Sequence, residues 1–193
     1  MSKTLIIYAH PNPQSFNHAI AETAERILRE AGNDVRTRDL YALKFNPVLS
    51  GDDFTSYKNG GLPDVREEHE HILWADQLLF TYPIWWFGRP AILQGYIDRV
   101  FNRGFAFDIK DGAPVGLLKH KRALVFQTTG QAVDAYKPTG LDDAIHKPMI
   151  EGTLQFCGIK DARIKTFYAV PAVNDGTRQE MLGEVEKAVR EFA

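Results

Sequence analysis

An aromatic loop lies between a predicted strand and a predicted helix near the middle of the chain. The apolar run 78–81 predicts a buried strand, and apolar residues at helical spacing predict a helix that starts at Pro90. The loop between them comprises Pro83, Ile84, Trp85, Trp86 and Phe87. Because loops lie at the surface, where exposed indole and phenyl rings are unfavourable, these rings require a partner. A flat aromatic ligand or a second subunit would supply one; a loop that folds back over its own core is the alternative.

A second loop has groups that bind phosphate. The apolar run 5–9 predicts a central strand, and the segment from His10 to Asn17 leads from it into an amphipathic helix that Gly32 ends. Ser15 is placed to cap this helix, whose free N–H groups and partial positive charge attract anions. His10, Ser15 and Asn17 would add side-chain donors, and a helix cap with no ligand is the alternative. The absence of a P-loop lysine and of a GxGxxG motif argues against a nucleoside triphosphatase and a Rossmann dinucleotide site.

Hydroxyl groups follow the fourth predicted strand, which covers residues 122–127. Thr128, Thr129 and Gly130 can present hydroxyl and backbone N–H groups to the polar edge of a ligand. This is the third loop whose residues are suited to contact a bound molecule.

The run 67–71, Glu-Glu-His-Glu-His, has metal-binding residue types without metal-binding spacing. Histidines two residues apart point to different faces of a helix, and the i, i+4 histidine pair of a zinc helix is missing. We therefore expect a solvated helix face and no metal site. Asp64 and Glu67 are expected to form a capping pair where this helix begins.

The composition suits one domain with an ordinary core. The chain has 193 residues, of which 44% are apolar and 25% charged, and its net charge is -2. So small a charge provides no field to hold nucleic acid or an anionic membrane, and no apolar run is long enough to insert into a membrane. With no signal-peptide pattern at the start, we expect a cytoplasmic protein. The single cysteine, Cys157, is expected to be a buried thiol.

The elements that position these loops alternate strand and helix five times. This order predicts a three-layer α/β fold in one domain over residues 1–193, with a five-stranded parallel sheet of order 2-1-3-4-5 and helices on both faces. In such a sheet, ligands bind at the carboxyl ends of strands one and three, where the strand order reverses. The segments 41–63 and 102–120 have no sustained periodicity, and we expect the first to be a lid or a subunit contact.

The three loops would meet in one crevice that offers phosphate donors, an aromatic wall and a polar turn. Flavin mononucleotide has the matching parts: a phosphate, an apolar tricycle and a polar pyrimidine edge. A phosphoacceptor receiver domain shares the predicted fold, but it requires an aspartate at the end of strand three, where Tyr82 and Pro83 stand.

The assembled motifs resemble the NAD(P)H:quinone oxidoreductases of the DT-diaphorase type, within the flavodoxin-like superfamily. The resemblance covers nearly the whole chain. Its motifs are Ala-His-Pro at 9–11, Ser-Phe-Asn at 15–17, Asp-Leu-Tyr-Ala at 39–42, Phe-Asn-Pro at 45–47, Trp-Phe-Gly at 86–88, Pro-Ala-Ile-Leu at 90–93, Arg-Val-Phe at 99–101, Gly-Phe-Ala at 104–106, Thr-Thr-Gly at 128–130 and Phe-Cys-Gly at 156–158.

This resemblance implies a flavin site and a substrate pocket. The implied cofactor-binding residues are His10, Ser15, Phe16, Asn17, Ala19, Pro83, Ile84, Trp85, Trp86, Phe87, Thr128, Thr129, Gly130, Gln131 and Tyr136. The implied substrate pocket contains Trp86, Phe107 and Gly130. The family is dimeric with sites at the subunit interface, which would account for the segments 41–63 and 102–120.

Some positions depart from the family pattern. The family's active-site tyrosine falls on Tyr136, but its partner histidine falls on Asp142, and Trp85 and Gln131 replace a glutamine and a glycine. An ionised carboxylate does not stabilise the negative charge that hydride transfer leaves on a flavin, so Asp142 is not a simple substitute. We expect Asp142 to cap a helix or, alternatively, to hold Tyr136 in place. We expect His146, one helical turn further on, to be a surface or partly buried histidine; the alternative is that it reaches back to the same region.

The resemblance also implies a reaction. It is the two-electron reduction of a quinone-like flat acceptor by NADH or NADPH, in a ping-pong cycle on a homodimeric flavoenzyme. The Ser-Phe-Asn loop favours FAD, with FMN as the alternative. Two other functions remain open: a regulatory ancillary subunit that contacts a potassium-efflux transporter, and an azo or nitro reductase on the same fold.

Overall fold

A five-stranded parallel sheet forms the centre of the protein. The computed structural model describes residues 1–120 and 122–193. The strands are β1 (Lys3–Tyr8), β2 (Asp34–Asp39), β3 (Gln77–Pro83), β4 (Phe107–Lys110), β5 (Ala113–Gly116), β6 (Arg122–Thr128) and β7 (Asp161–Phe167). The sheet has the order β2-β1-β3-β6-β7, and its neighbouring strands are all parallel. Counted among the sheet strands alone, this is the predicted order 2-1-3-4-5.

Helices cover both faces of the sheet. They are α1 (Phe16–Glu30), α2 (Gly51–Ser56), α3 (Pro63–Trp74), α4 (Ala91–Val100), α5 (Leu141–Met149) and α6 (Asp175–Phe192). Residues of α1 and α6 share one hydrophobic core, whereas residues of α3, α4 and α5 share the core on the opposite face. The predicted three-layer α/β architecture is therefore confirmed.

The side chains of the central strands alternate between the two cores. Leu5 and Ile7 of β1 lie in the core of α3 and α4, whereas Ile6 lies in the core of α1 and α6. Successive side chains of a strand point to opposite faces of the sheet, so a strand between two helical layers must be apolar at every position. This is the physical reason for the continuous apolar run 5–9.

The carboxyl ends of β1, β3 and β6 lie at the same edge of the sheet. Tyr8 is in register with Thr81, and Pro83 is in register with Thr128. The order of the strands reverses between β1 and β3, which is where open α/β sheets bind ligands. The three candidate loops all leave the sheet at this edge, as predicted.

The segment 41–63 contains a short helix that the sequence pattern did not predict. Helix α2 is six residues long, and Ser50 and Asp53 form a capping box at its start. So short a helix has too few turns for its apolar spacing to be recognised. The segment contacts α4 closely at Gly95, where an added Cβ would lie 2.0 Å from the carbonyl oxygen of Pro47.

The segment 102–120 contains an antiparallel hairpin where no regular structure was predicted. Strands β4 and β5 pair with each other apart from the main sheet. Asp111 and Gly112 form the turn with φ of 52° and 79°. An Asp-Gly pair favours this left-handed turn, so the sequence did contain a signal for the hairpin.

Helix α3 begins without a side-chain cap, so the predicted capping pair is wrong. The helix starts at Pro63, and no side chain caps it. Asp64 instead forms an ion pair with Arg99, and Glu67 forms one with Arg38. Both carboxylates are therefore used for tertiary contacts.

The predicted solvated face of α3 is correct for Glu67 and Glu70, which are exposed, but wrong for Glu68 and His69. Glu68 and His69 are only 2% and 8% exposed. Glu68 forms an ion pair with Arg38 and accepts a hydrogen bond from the Tyr96 hydroxyl at 3.1 Å. His69 Nε2 lies 2.9 Å from the carbonyl oxygen of Val100, and burial lowers the pKa of His69. These partners come from β2 and α4, which is why the local pattern did not reveal them.

A π-helical segment, Ile150–Gln155, continues α5 and leads to the cysteine. Pro148 lies inside α5, where its ring disrupts regular helical bonding, and its carbonyl accepts a hydrogen bond from Thr153 Oγ1 at 2.8 Å. Cys157 follows this segment and is 3% exposed. Burial raises the pKa of its thiol to about 11. The expected buried thiol is therefore present.

A buried arginine holds the segment 45–64 against α4. Arg99 is 2% exposed, and its Nε lies 2.9 Å from Asp53 Oδ1 while its Nη1 lies 2.6 Å from Asp64 Oδ2. Nη1 also donates to the carbonyl oxygen of Asn46 at 2.7 Å. Burial opposes ionisation of Asp53, but hydrogen bonds from Ser50 and Arg99 outweigh it and hold the pKa of Asp53 below its ordinary value.

Substitution of Arg99 by leucine should destabilise the fold by about 3–5 kcal/mol, because it leaves a buried carboxylate without its cation. Arg103→Leu is the matched control, since the ion pair of Arg103 with Asp108 is exposed and solvent screens it, so its loss should change the stability little. Urea unfolding followed by circular dichroism measures both free energies.

The same comparison has a predicted dependence on pH. The low pKa of Asp53 contributes stability that is present above the pKa of the unfolded chain and is lost as the pH falls through the folded value. The difference in the free energy of unfolding between wild type and Arg99→Leu should therefore become smaller at acidic pH. Equal losses in Arg99→Leu and Arg103→Leu would contradict the role given to this cluster.

Candidate functional site

The three loops form two adjoining pockets at the carboxyl edge of the sheet. The first, here called the α1 pocket, has a volume of about 300 Å³. It is lined by His10, Ser15, Phe16, Asn17, Pro83, Ile84, Trp85, Thr128, Thr129, Gly130, Val170 and Pro171. The second, here called the aromatic pocket, has a volume of about 500 Å³. It is lined by Ile84, Trp85, Trp86, Phe87, Gly130, Gln131 and Tyr136.

The two pockets share a wall, so they form one continuous groove. Ile84, Trp85 and Gly130 line both of them. Of the residues implied to bind a cofactor, only Ala19 lines neither pocket, because it lies further along α1. Phe107 lies in β4 and lines a separate groove, so a single chain does not bring it to this site.

The start of α1 is anchored to the sheet by a buried side chain. Asn17 is 3% exposed, and its Nδ2 donates to Thr128 Oγ1 at 2.8 Å. Its Oδ1 accepts a weaker hydrogen bond from the Thr81 hydroxyl at 3.4 Å. The Asn17 side chain therefore fixes the helix on the sheet, and the residue also lines the α1 pocket.

Backbone N–H groups at the start of α1 are free to bind an anion. Ser15 caps the helix, since its hydroxyl accepts from the His18 N–H at 3.1 Å. Among residues 1–120 and 122–193, no acceptor lies on the N–H groups of Phe16 and Asn17. With the helix dipole, they form a favourable position for a phosphate group.

His10 borders the α1 pocket as a neutral side chain. Its Nδ1 accepts a hydrogen bond from the N–H of Asn12 at 3.0 Å, which leaves the proton of the neutral ring on Nε2. Burial lowers the pKa of His10. The ring lies 5.7 Å from that of Trp85, so it can present a donor beside the aromatic wall.

The turn after β6 offers the backbone N–H groups that were expected, whereas its two threonine hydroxyl groups already have protein partners. The Thr128 hydroxyl is bonded to Asn17, and the Thr129 hydroxyl donates to the carbonyl oxygen of Gln131 at 2.7 Å. In the part of the chain that the structure describes, the N–H groups of Gly130 and Gln131 donate to no protein acceptor. Hydrogen bonds to the end of β7, such as Thr129 N–H to Phe167 at 2.9 Å, hold this turn in place.

The aromatic loop is a tight turn that directs its rings outward. Trp85 and Gly88 exchange two backbone hydrogen bonds of 3.0 Å. Between them, Trp86 and Phe87 have left-handed backbones with φ of 50° and 56°, which costs about 1–2 kcal/mol per residue. Trp86 is 98% exposed. The alternative in which this loop folds back over its own core is therefore wrong.

Tyr136 forms the inner wall of the aromatic pocket. It is 4% exposed, and its ring packs edge to face against Phe87 at 5.5 Å and against Tyr168 at 5.7 Å. A short 3₁₀ turn, Val133–Ala135, precedes Tyr136 and places it beneath the loop. The phenol thus lies between the exposed rings and the polar residues behind them.

Asp142 does not have the first of its two expected roles, that of a helix cap. Gly140 is the N-cap of α5, so Asp142 does not cap the helix. Its carboxylate instead accepts a hydrogen bond from the Tyr168 hydroxyl and lies 3.6 Å from His146 Nδ1. The Asp142 N–H also donates to the Tyr136 carbonyl oxygen at 3.4 Å, and the Tyr168 ring packs against Tyr136. These contacts support the alternative in which Asp142 holds Tyr136 in place. Burial raises the pKa of Tyr168, and the neighbouring carboxylate of Asp142 raises it further.

Sequence reasoning missed three residues of this region. Val170 and Pro171 line the α1 pocket, and Tyr168 supports Tyr136. All three follow or adjoin the end of β7, whose carboxyl end also lies at this edge. Position after the fifth strand was therefore the signal that could have identified them.

The donor set suits a phosphorylated aromatic ligand better than a metal. Free backbone N–H groups lie at one end of the groove and uncharged rings at the other, as a flavin would require. Within residues 1–120 and 122–193, no group of three or more His, Cys, Asp or Glu side chains could hold a metal ion. The helices in these ranges are all too short or too polar to cross a membrane.

Comparisons with known proteins agree on one family. A family model described as flavodoxin-like fold matches residues 2–189. The chain is 43% identical over 180 residues to an uncharacterized NAD(P)H oxidoreductase of Haemophilus influenzae, covering 92% of this chain and 89% of that protein. It is 35% identical over 201 residues to the ribosyldihydronicotinamide dehydrogenase (quinone) of Mus musculus, with 93% and 87% covered. The solved NAD(P)H:quinone oxidoreductase from Methanothermobacter marburgensis has a TM-score of 0.88 at 29% identity, with 99% and 96% covered.

The exposure of Trp86 predicts that its indole contributes little to the stability of the ligand-free chain. Trp86→Gly relieves the left-handed backbone, so it should change the free energy of unfolding by less than about 1 kcal/mol. Tyr136→Ala is the contrasting variant, because loss of a buried ring costs about 3–5 kcal/mol. Urea unfolding of the ligand-free proteins measures both. A large loss in Trp86→Gly would show that the indole is needed for folding rather than for binding.

Proposed function

We propose that this chain is a flavin-dependent NAD(P)H:quinone oxidoreductase. It belongs to the flavodoxin-like family, which contains NAD(P)H:quinone oxidoreductases. The observation that carries the proposal is the continuous groove of the α1 and aromatic pockets. It combines free N–H groups for a phosphate with exposed rings for a flat tricycle, and Ile84, Trp85 and Gly130 join the two parts. Quinones or similar flat acceptors would be its substrates.

Different residues of the groove would contact different parts of the flavin. The N–H groups of Phe16 and Asn17 would hold the phosphate, and the rings of Trp86 and Phe87 would face the ligand ring. The N–H groups of Gly130 and Gln131 would donate to its polar edge. A bound flavin would supply the redox chemistry by accepting a hydride from NADH or NADPH and passing two electrons to the acceptor. The pocket's task is to exclude water and orient the reactants.

Tyr136 is proposed as the catalytic hydroxyl group of the aromatic pocket. A phenol can donate to negative charge that develops there, whereas an ionised carboxylate would oppose it. Asp142 lines neither pocket, since its carboxylate is bonded to the Tyr168 hydroxyl. We therefore assign Asp142 and Tyr168 a positioning role: they hold the ring against which Tyr136 packs.

The proposed cofactor is FAD, with FMN as the alternative. The proposal rests on the Ser15, Phe16 and Asn17 loop, whose residues match the FAD-binding members of the family. NADH and NADPH are both kept as hydride donors, because neither pocket contains a lysine or arginine side chain that would select a 2′-phosphate.

We further propose that two copies of the chain associate through a second, apolar groove. This groove has a volume of about 440 Å³ and includes Leu49, Phe54, Phe107 and Phe156. Phe54 is 63% and Phe156 is 41% exposed, which is unfavourable in water for residues grouped in one patch. Phe107 belongs to this face, so it would contribute to a substrate pocket only across a subunit interface.

The proposed function predicts a yellow protein. The visible spectrum of the purified protein should show a flavin that is bleached by NADH or NADPH without oxygen, and the mass of the released flavin distinguishes FAD from FMN. Because both substrates would use the same pocket, initial-velocity lines should be parallel, as in ping-pong kinetics. Intersecting lines would contradict the shared pocket. A colourless protein that co-purifies with a potassium-efflux transporter would favour the regulatory alternative.

The proposed interface predicts a dimer that one charge disrupts. Phe54→Glu should yield a monomer in size-exclusion chromatography with light scattering, because burying an unpaired carboxylate in the interface is unfavourable. Leu73→Glu is the control, since Leu73 is 71% exposed and lies outside the groove. A monomeric wild type, or a dimeric Phe54→Glu variant, would contradict the proposed interface.

A further inference from the structure

Arg89 is a partly buried cation whose acceptors are all uncharged. Its Nε donates to Gln94 Oε1 at 3.1 Å, and its Nη1 donates to Thr153 Oγ1 at 3.1 Å and to Met149 Sδ at 3.4 Å. Sulfur is a weak acceptor. Nη2 donates to no acceptor within residues 1–120 and 122–193, and the same residues contain no carboxylate paired with Arg89.

The carboxylate closest in this network does not neutralise Arg89 directly. Asp98 is exposed and accepts a hydrogen bond from Gln94 Nε2 at 2.7 Å, so the amide of Gln94 separates it from the guanidinium. Burial lowers the pKa of Arg89, yet arginine side chains in proteins keep their proton. A buried charge without a counterion is costly. The site therefore lacks a negative partner.

A small cavity lies against this cation. Its volume is about 160 Å³, which is room for about five water molecules at ~30 Å³ each. Besides apolar side chains, Arg89, Tyr82 and Gln94 line it, and no Asp or Glu side chain does. The Tyr82 hydroxyl is a second donor, whose acceptor on Gln127 is as far as 3.4 Å away. The cavity thus has donors and a positive charge without a matching acceptor.

We propose that this cavity is a binding site for a small monovalent anion, either a halide or a short carboxylate, held by Arg89 and Tyr82. The anion supplies the negative charge that the surrounding side chains do not provide. Ile84 and Phe87 line both this cavity and the aromatic pocket, so the bound anion also supports the aromatic loop from behind. The inference is independent of the proposed function, because it rests on the cavity alone.

Crystals of the purified, ligand-loaded protein soaked in sodium bromide test the site directly. The expected result is an anomalous peak within hydrogen-bond distance of Arg89 Nη2. A parallel soak in sodium acetate distinguishes the two anion types, because planar density in place of the peak identifies a carboxylate. Water alone in both soaks, or a carboxylate of a second copy of the chain at this position, would overturn the proposal.

A solution measurement with matched variants complements the crystals. At equal ionic strength, the change in Tm on replacing sulfate by bromide or acetate should be more positive for wild type than for Arg89→Gln, because sulfate is outside the proposed class of ligands and general salt effects act on both proteins. Arg163→Gln is the control, because Arg163 is an exposed arginine remote from the cavity. It should respond as wild type does. An identical response of Arg89→Gln and wild type would overturn the proposal.

Discussion

The hydrogen bond from Asn17 to Thr128 is the contact on which the site depends. It joins residues 111 positions apart, and Asn17 is buried on the sheet where β3 and β6 end. Because the side-chain amide of Asn17 is buried, loss of its hydrogen bond would cost free energy. The bond therefore fixes the start of α1 against the strands. The free N–H groups of Phe16 and Asn17 are thereby held beside the turn at Gly130. This one hydrogen bond therefore keeps the α1 pocket next to the aromatic pocket.

A second constraint is the backbone of the aromatic loop. Trp86 and Phe87 both have left-handed conformations that bulky residues rarely adopt. The paired bonds of Trp85 with Gly88, together with Ile84 N–H to the Thr128 carbonyl at 2.7 Å, fix the ends of the turn and maintain the strain. Strained residues that contribute little to packing are typical of binding sites. The fold therefore maintains an exposed aromatic surface that contributes little to the stability of the ligand-free chain.

The sequence predicted what depends on periodicity and on strand order. The predicted strands at 5–9, 78–81 and 122–127 correspond to β1, β3 and β6, and the ends of these strands located the groove correctly. It failed where a residue's partner lies far away in the chain, as for Glu68, which is buried because Arg38 and Tyr96 contact it. The helix-cap role expected of Asp142 was wrong for the same reason, since the partner of its carboxylate, Tyr168, follows another strand. The Asp111–Gly112 hairpin is different, because its local signal was present but not used.

Cys157 lies behind the π-helical segment and has a protonated, covered thiol, with a pKa of about 11. A thiol reagent reacts with the thiolate, so the closed protein should be nearly inert toward such reagents at neutral pH. Its slow labelling would therefore report how often the 150–158 region opens, on a timescale that crystallography does not sample. Because Cys157 is the single cysteine of the chain, its thiol would report local opening without an introduced cysteine.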